Sequence, residues 1–342
     1  MAVKRKPEVL VVGAGPVGLM AALVLARRGV SVLVVDRDWR TGAHSYALAL
    51  HARSLAVLEE LGLAETVLQQ AYPVHAMQLH DAAAPRAEVQ LAAGDDDPVA
   101  VLRQDVLERV LEKALRAEGV EVLWNHEVVR LVPGDDRVQA TIDRLEKDSV
   151  GYATAHTEWV VARSFDLHVP LVIGADGHRS LVRRRLGIEF AEIAPAQHFA
   201  VFEFRGGAEL GGRMHVVLDD DTTSAVWPLP GGCCRWSFQL TDYEAPQATR
   251  TKDRVAVQLG RQQFPVLGEE NLRALLAERA PWFEGQPGQI ESAKRCSKQT
   301  TIRHSIWPGW PSNQGARSAN SARRFSSPST GNCWRPSCTA TR

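Results

Sequence analysis

Short runs that are apolar at every position alternate with amphipathic stretches through the first half of the chain. "VLVV", Val9–Val12, is β-branched and apolar on both faces, the pattern of a strand covered on two sides. Pro16 to Arg28 predicts a helix, with Gly29 at the position after its C-cap. "VSVLVVD", 30–36, predicts a second buried strand, so residues 9–36 make a βαβ unit with a right-handed crossover. "HARSLAVLEELG", 51–62, places Leu55, Leu58 and Leu61 on one helical face. "RQDVLERVLEKALRAEG", 103–119, does the same with Val106, Leu107, Val110, Leu111 and Leu115. "VEVLW" follows as a strand, residues 127–163 alternate as a β-meander, and "PLVIGADG", 170–177, is a further buried strand ending in a glycine turn. From about residue 190 the period is that of strands: "HFAVFEF", "RMHVVLD", "SAVWPLP" and "CRWSFQL", separated by Gly-Gly and Asp runs. "NLRALLAERAPWF", 271–283, predicts a short helix stopped by Pro281. The pattern is that of an α/β fold with a parallel sheet and an inserted, mostly antiparallel sheet.

A length of 342 residues allows one large domain or two ordinary ones. The formal net charge is zero, which provides no attraction for nucleic acid or an anionic membrane. No apolar run near the N-terminus is long enough to span a bilayer or to serve as a signal peptide, so a cytoplasmic protein is expected. Five cysteines without ligand spacing suit a reducing compartment and no metal site; Cys233 and Cys234 are expected to pack. Charge is unevenly placed. All 40 acidic residues lie at or before Glu291, and residues 292–342 hold nine Lys or Arg, no Asp or Glu, and no Leu, Val or Met. That segment cannot build a core, and order is expected to stop near residue 291.

Gly13, Gly15 and Gly18 form G-x-G-x-x-G between a strand and a helix, within the segment Gly13-Ala14-Gly15-Pro16-Val17-Gly18. The first glycine permits a tight turn, the second lets backbone N–H groups approach a pyrophosphate, and the third lets helix and strand close together. The helix N-terminus adds partial positive charge. Pro16 suits the first helical turn, where its missing N–H is not needed. Asp36 ends the second strand 18 residues after Gly18, where a carboxylate accepts from ribose hydroxyls. Arg37 stands beside it, as a phosphate contact or a solvated charge. This motif alone leaves NAD and FAD both open.

Two further motifs point to FAD: Arg103-Gln104 opening the helix "RQDVLERVL", and "VIGADGHRSLVRRRLG", 172–187. With the first, they make residues 7–291 resemble the class A flavoprotein monooxygenases, the aromatic hydroxylases related to p-hydroxybenzoate hydroxylase. "WPLPGGCCRWSFQL" and "ERAPWF" are similar to that family's substrate-domain strands and following helix. The resemblance implies that Gly13, Gly15 and Gly18 hold the FAD pyrophosphate and Asp36 the adenosine ribose. It puts Arg103 and Gln104 on the phosphate–ribityl side and ties Asp176 and Gly177 to FAD and NADPH. Arg179 and Arg183 would help receive the pyridine nucleotide, although Arg183–Arg185 also reads as a solvated basic face. Where many members carry an Arg toward the FAD phosphates, Tyr46 stands here, with His44 and His51 nearby. The implied reaction uses NADPH or NADH and O₂ to hydroxylate an aromatic or polyketide-like ring through a flavin C4a-hydroperoxide. No side chain acts as nucleophile, and no catalytic residue is assigned; His215 and Tyr243 lie in the presumed substrate domain.

The family's third fingerprint, a Gly-Asp motif due shortly after residue 300, is absent: no Asp follows Asp253. Residues 292–342 read as a shifted reading frame or truncation, with a natural disordered basic tail as the alternative, and the composition suits disorder either way. The expected organisation is an FAD-binding domain over 1–185, a substrate-binding β-sheet domain over 186–291 and an aberrant tail over 292–342. A non-catalytic FAD-binding fragment is the alternative that this absence raises.

Overall fold

A computed structural model describes residues 6–39, 49–81, 84–91, 98–150, 156–206, 209–240, 267–288 and 290–303. The chain opens with β1 (Val9–Val12), α1 (Pro16–Arg27) and β2 (Val32–Val35). Next come β3 (Ala49–Leu50), α2 (Ala52–Glu60), α3 (Ala64–Leu68), β4 (Tyr72–Val74), β5 (Ala76–His80), β6 (Pro85–Gln90) and β7 (Val99–Val101). They are followed by α4 (Gln104–Ala117), β8 (Val122–Leu123), β9 (His126–Pro133), β10 (Val138–Val150), β11 (His156–Val169), β12 (Leu171–Gly174) and α5 (Leu181–Arg185). The last elements are β13 (Phe190–Arg205), β14 (Arg213–Leu218), β15 (Thr223–Leu229), β16 (Cys233–Leu240), α6 (Glu269–Arg279) and β17 (Ile290–Arg303).

A parallel sheet in the order β12-β1-β2-β8 forms the nucleotide-type half. Its continuous apolar runs are explained by what covers it. Val9 and Val11 pack with Leu19, Leu23, Leu107, Leu111 and Leu115 of α1 and α4. Leu10 and Val12 pack with Val128, Leu131, Ala140 and Ile142 of the three-stranded antiparallel sheet β11-β10-β9. Both faces of β1 are buried, so neither can be polar.

A seven-stranded sheet runs β17-β13-β16-β15-β14-β5-β6, antiparallel except where β14 and β5 run parallel. One face carries Phe202, Phe204, Trp236, Phe238 and Val226 against Leu272 and Leu276 of α6. The other packs Met214, Leu229 and Cys233 against Val74, Val99 and Val101 of a small sheet, β3-β7-β4. Strand β7 stands between the two halves. Val99 and Val101 point into this contact, while Ala100 and Leu102 belong to the nucleotide-side core.

The α/β reading with a parallel and a mostly antiparallel sheet holds, and each quoted strand or helix segment between 9 and 240 forms an element of the expected type. Two boundaries differ. The antiparallel sheet draws β5 and β6 from within the span assigned to the first domain. It also takes in β17, whose backbone pairs with β13 as far as Arg303. Pairing at a sheet edge is made by main-chain groups, so the polar composition of 292–303 did not announce it. The remainder of the presumed tail lies outside the described residues.

Candidate cofactor site

The Gly13–Gly18 turn joins β1 to α1. Gly13 adopts φ +104°, and a Cβ there would run into the Ala175 carbonyl and stand 2.8 Å from the Asp176 N. A Cβ on Gly18 would strike the Gly13 carbonyl oxygen and lie 3.2 Å from the Ala175 Cβ. Gly15 is different: its Cβ would meet nothing within 4 Å. The protein does not need that glycine for its own packing, and the open space lies at the N-cap of α1. No side chain caps this helix. Its first-turn N–H groups and partial positive charge are thus free for an anion.

Asp36 braces the turn from the end of β2. Its Oδ2 accepts from Ala14 N at 2.6 Å and its Oδ1 from Asp38 N at 2.8 Å. Burial raises its pKa, against the lowering effect of those two bonds. Each carboxylate oxygen keeps lone-pair capacity for a ribose hydroxyl. Arg37 is exposed, and its charge reaches the His178 ring.

The second turn, Ala175–Gly177, abuts the first through Ala175, whose N donates to Val12 O at 2.7 Å. Asp176 faces its own helix: Oδ1 accepts from Ser180 Oγ at 2.6 Å, and Oδ2 from Leu181 N at 2.6 Å and Val182 N at 3.2 Å. Gly177 turns the chain at φ +74°. The Arg183 Nη1 donates to His178 O at 2.8 Å, and its guanidinium lies 4.1 Å over the Phe190 ring; Arg179 is exposed. The third motif sits where β7 enters α4. Arg103 is the N-cap and its side chain leaves the helix for the seven-stranded sheet. There its Nε donates to Glu203 Oε2 at 2.9 Å and its Nη2 to Glu291 Oε2 at 2.5 Å. Gln104 donates to Glu108 Oε1 at 2.7 Å.

The structure therefore packs Gly13 and Gly18 against Ala175 and the Asp176 backbone, ties Asp36 to Ala14 in the same turn, and links Arg103 to sheet carboxylates; Gly177 makes no close approach to the first turn. Tyr46, His44 and Tyr243 lie outside the described residues. His51 is the exposed N-cap of α2 and makes no side-chain cap. His215 packs on the α6 face, with Nδ1 2.9 Å from His80 Nε2. Cys233 and Cys234 are buried, and burial pushes the Cys234 thiol up to about 12. Among the described residues no three His, Cys, Asp or Glu side chains gather as a metal site. Sequence reading missed Ala175, Glu203 and Glu291. Ala175 could have been suspected from its place in "GADG"; nothing local marks the two glutamates.

The family model for the FAD-binding domain matches residues 6–261, and the chain belongs to that family, whose cofactor is FAD. Within it the chain is similar to 6-methylpretetramide 4-monooxygenase of Streptomyces rimosus, 36% identical over 191 residues, covering 53% of this chain and 30% of that protein. It is also similar to 3-(3-hydroxy-phenyl)propionate/3-hydroxycinnamic acid hydroxylase 1 of Burkholderia vietnamiensis, 26% identical over 325 residues, covering 92% of this chain and 49% of that protein. The chain thus spans less than half the length of these relatives. The fold matches p-nitrophenol 4-monooxygenase PnpA from Pseudomonas putida DLL-E4, with a TM-score of 0.68 at 21% identity, over 88% of this chain and 70% of that one. It also matches aklavinone-11 hydroxylase in complex with FAD and aklavinone, with a TM-score of 0.64 at 22% identity, over 90% and 56%. The open cradle at Gly15 fits the pyrophosphate of this cofactor.

Proposed function

We propose that this protein is an FAD- and NAD(P)H-dependent monooxygenase that hydroxylates an aromatic or polyketide-like substrate. The observation that carries the reading is the packing of Gly13 and Gly18 against Ala175, which locks the two turns together, with open space left at Gly15 beside the uncapped N-terminus of α1, in a chain of the FAD-binding family. When bound, FAD supplies the oxygen-transfer chemistry, with NADPH or NADH as reductant and O₂ as oxidant. One oxygen atom enters the ring and the other leaves as water.

The chain's own residues bind and orient. Gly13, Gly15, Gly18 and the α1 N-terminus, with Ala14, Pro16 and Val17 of the same turn, receive the pyrophosphate. Asp36 accepts from the adenosine ribose, with Arg37 beside it, and Arg103 and Gln104 serve the phosphate–ribityl side. Asp176 acts through the backbone, holding the turn against which Gly13 and Gly18 pack. Tyr46 is assigned to the same phosphate region. The seven-stranded sheet forms the substrate wall and excludes water from the reacting ring. Residues 1–185, 186–291 and 292–342 keep the roles of cofactor domain, substrate domain and tail, with β5, β6 and β17 contributed to the sheet from the flanking parts. The absence of any Asp after Asp253 favours a second reading, a chain that binds FAD without turning it over.

The test is the visible absorption spectrum of the purified chain with and without added FAD, followed by NADPH and NADH oxidation with candidate phenols. Flavin bands at about one FAD per chain and phenol-dependent NAD(P)H oxidation are expected. Flavin bands without oxidation select the second reading. A colourless chain with no saturable FAD binding overturns both.

A further inference from the structure

The strongest unassigned feature is the charge chain at the seam between the two halves. Glu203 on β13 is only 4% exposed. It accepts from Arg103 Nε at 2.9 Å and lies 3.5 Å from the Arg235 guanidinium, itself buried on the neighbouring strand. Glu291, at the start of β17, is more open. It accepts from Arg103 Nη2 at 2.5 Å and from Arg205 Nε at 3.1 Å. One guanidinium of the cofactor half thus holds two carboxylates of the sheet, and the two are not alike. The buried one lies between two arginines in a fixed register, because Glu203 pairs with Arg235 across β13 and β16. The open one has a second partner, Arg205, to which it can keep its bond if Arg103 lets go.

We propose that Glu203 is a positioning residue that anchors Arg103, and that Glu291 is the exchangeable partner which gives Arg103 Nη2 up to the phosphate of FAD. This rests on the reading that Arg103 serves the phosphate side of the cofactor. The chemistry follows from the geometry. A guanidinium has five N–H donors in a rigid fork, so a bond at Nε fixes the direction of the other two nitrogens. Removing the Glu203 charge leaves Arg103 and Arg235 beside each other without their shared anion, and Arg103 then turns wholly to Glu291. Removing the Glu291 charge leaves the anchor intact, frees Nη2, and takes away an anion that competes with phosphate for the same donor.

The two carboxylates, on one arginine, therefore act on FAD affinity with opposite sign. A merely structural seam gives the same sign for both. The experiment is titration of the full chain with FAD, read by quenching of flavin fluorescence, for the parent and for Arg103→Gln, Glu203→Gln and Glu291→Gln. Arg103→Gln is expected to raise the Kd about thirtyfold and Glu203→Gln about tenfold, while Glu291→Gln lowers it about threefold. A Glu291→Gln chain with unchanged or weaker FAD binding overturns the proposal. It does so even if Glu203→Gln fails to fold, because Glu291 sits at an open strand start. An unchanged Kd in Arg103→Gln overturns the underlying reading of Arg103 as well. A raised Kd there, with both glutamate variants also weakened, overturns the proposal alone.

Discussion

The two faces of the seven-stranded sheet are built from alternate residues of the same strands, yet their chemistry is opposed. Along β16, Cys234, Trp236, Phe238 and Leu240 face α6 and are buried; their neighbours Cys233 and Arg235 face the cofactor half. Along β13, Phe202 and Phe204 join the first face, and Glu203 and Arg205 the second. The α6 face is held by ring packing. Trp236 stacks on Phe238 at 5.0 Å and 4°, and meets Phe283 edge-on at 5.3 Å. Trp282 stacks on His80 at 4.0 Å. The opposite face is held in part by charge, through Arg103, Glu203, Arg235, Glu291 and Arg205. The difference teaches which face is free to work. Dispersion packing on the α6 side tolerates few changes and needs no ligand. On the proposal above, the charges on the other side would couple the sheet to an anion arriving at α4.

The largest expected effect tests the ring-packed face. Trp236→Ala removes the largest fully buried side chain among the described residues and leaves a cavity between Phe238, Trp282 and Phe283. It should cost about 4 kcal/mol, seen as a lowered urea midpoint with an unchanged m-value. A loss below about 1 kcal/mol would mean that this face collapses around the hole and is not the rigid side of the comparison. Arg235→Met comes next and tests the charged face. It strips Glu203 of its partner on β16 while Arg103 remains. A cost of about 3 kcal/mol is expected, because a buried carboxylate loses countercharge. The double variant with Glu203→Gln should cost less than the sum of the two single changes, as measured by a double-mutant cycle.

Local features were legible in the sequence, and distant ones were not. The β1–α1–β2 unit, its three glycines and Asp36 lie within 28 residues, and the apolar period alone places them. The reason those glycines are required includes Ala175, which reaches Gly13 and Gly18 only after the parallel pairing of β1 with β12 is formed. Asp176 was legible as part of a motif, but its engagement with the N-terminus of α5 needs the turn itself. Arg103 and Glu203 are 100 residues apart and His80 and His215 are 135 apart, and each pair depends on strand register across the seam or the sheet. Strand β5 was missed for a related reason: His80 and Gln78 look like loop polarity until the parallel pairing with β14 puts His80 beside Val217.

The smallest expected effect separates the two faces by pH. His215 is lowered to about 4, first by burial and then by the neighbouring His80, whose own pKa burial also lowers. Above pH 6.5 both rings are neutral in the folded and the unfolded chain, and this stability is complete. As pH falls below 6.5 the unfolded chain takes up protons first, so stability is lost progressively until His215 titrates in the folded chain near pH 4. The loss is on the order of 2 kcal/mol after allowance for the partial exposure of His215. Glu291 on the opposite face is held low, first by its hydrogen bond from Arg205 and then, against the cost of burial, by the Arg103 charge. Its contribution is complete above its unfolded value of 4.5 and is lost only as pH falls below that. Asp36, raised by burial, works in the reverse sense, and His178, lowered by burial and its arginine neighbours, adds to the histidine response, so the window that separates the histidines from Glu291 lies between pH 6.5 and 4.5 and the variants assign the groups within it. Urea unfolding of the parent across that window should show falling stability. His215→Gln should remove the larger part of that slope, and Glu291→Gln should leave it unchanged. A slope as steep in His215→Gln as in the parent would place the titrating group elsewhere and remove His215 from the acid response.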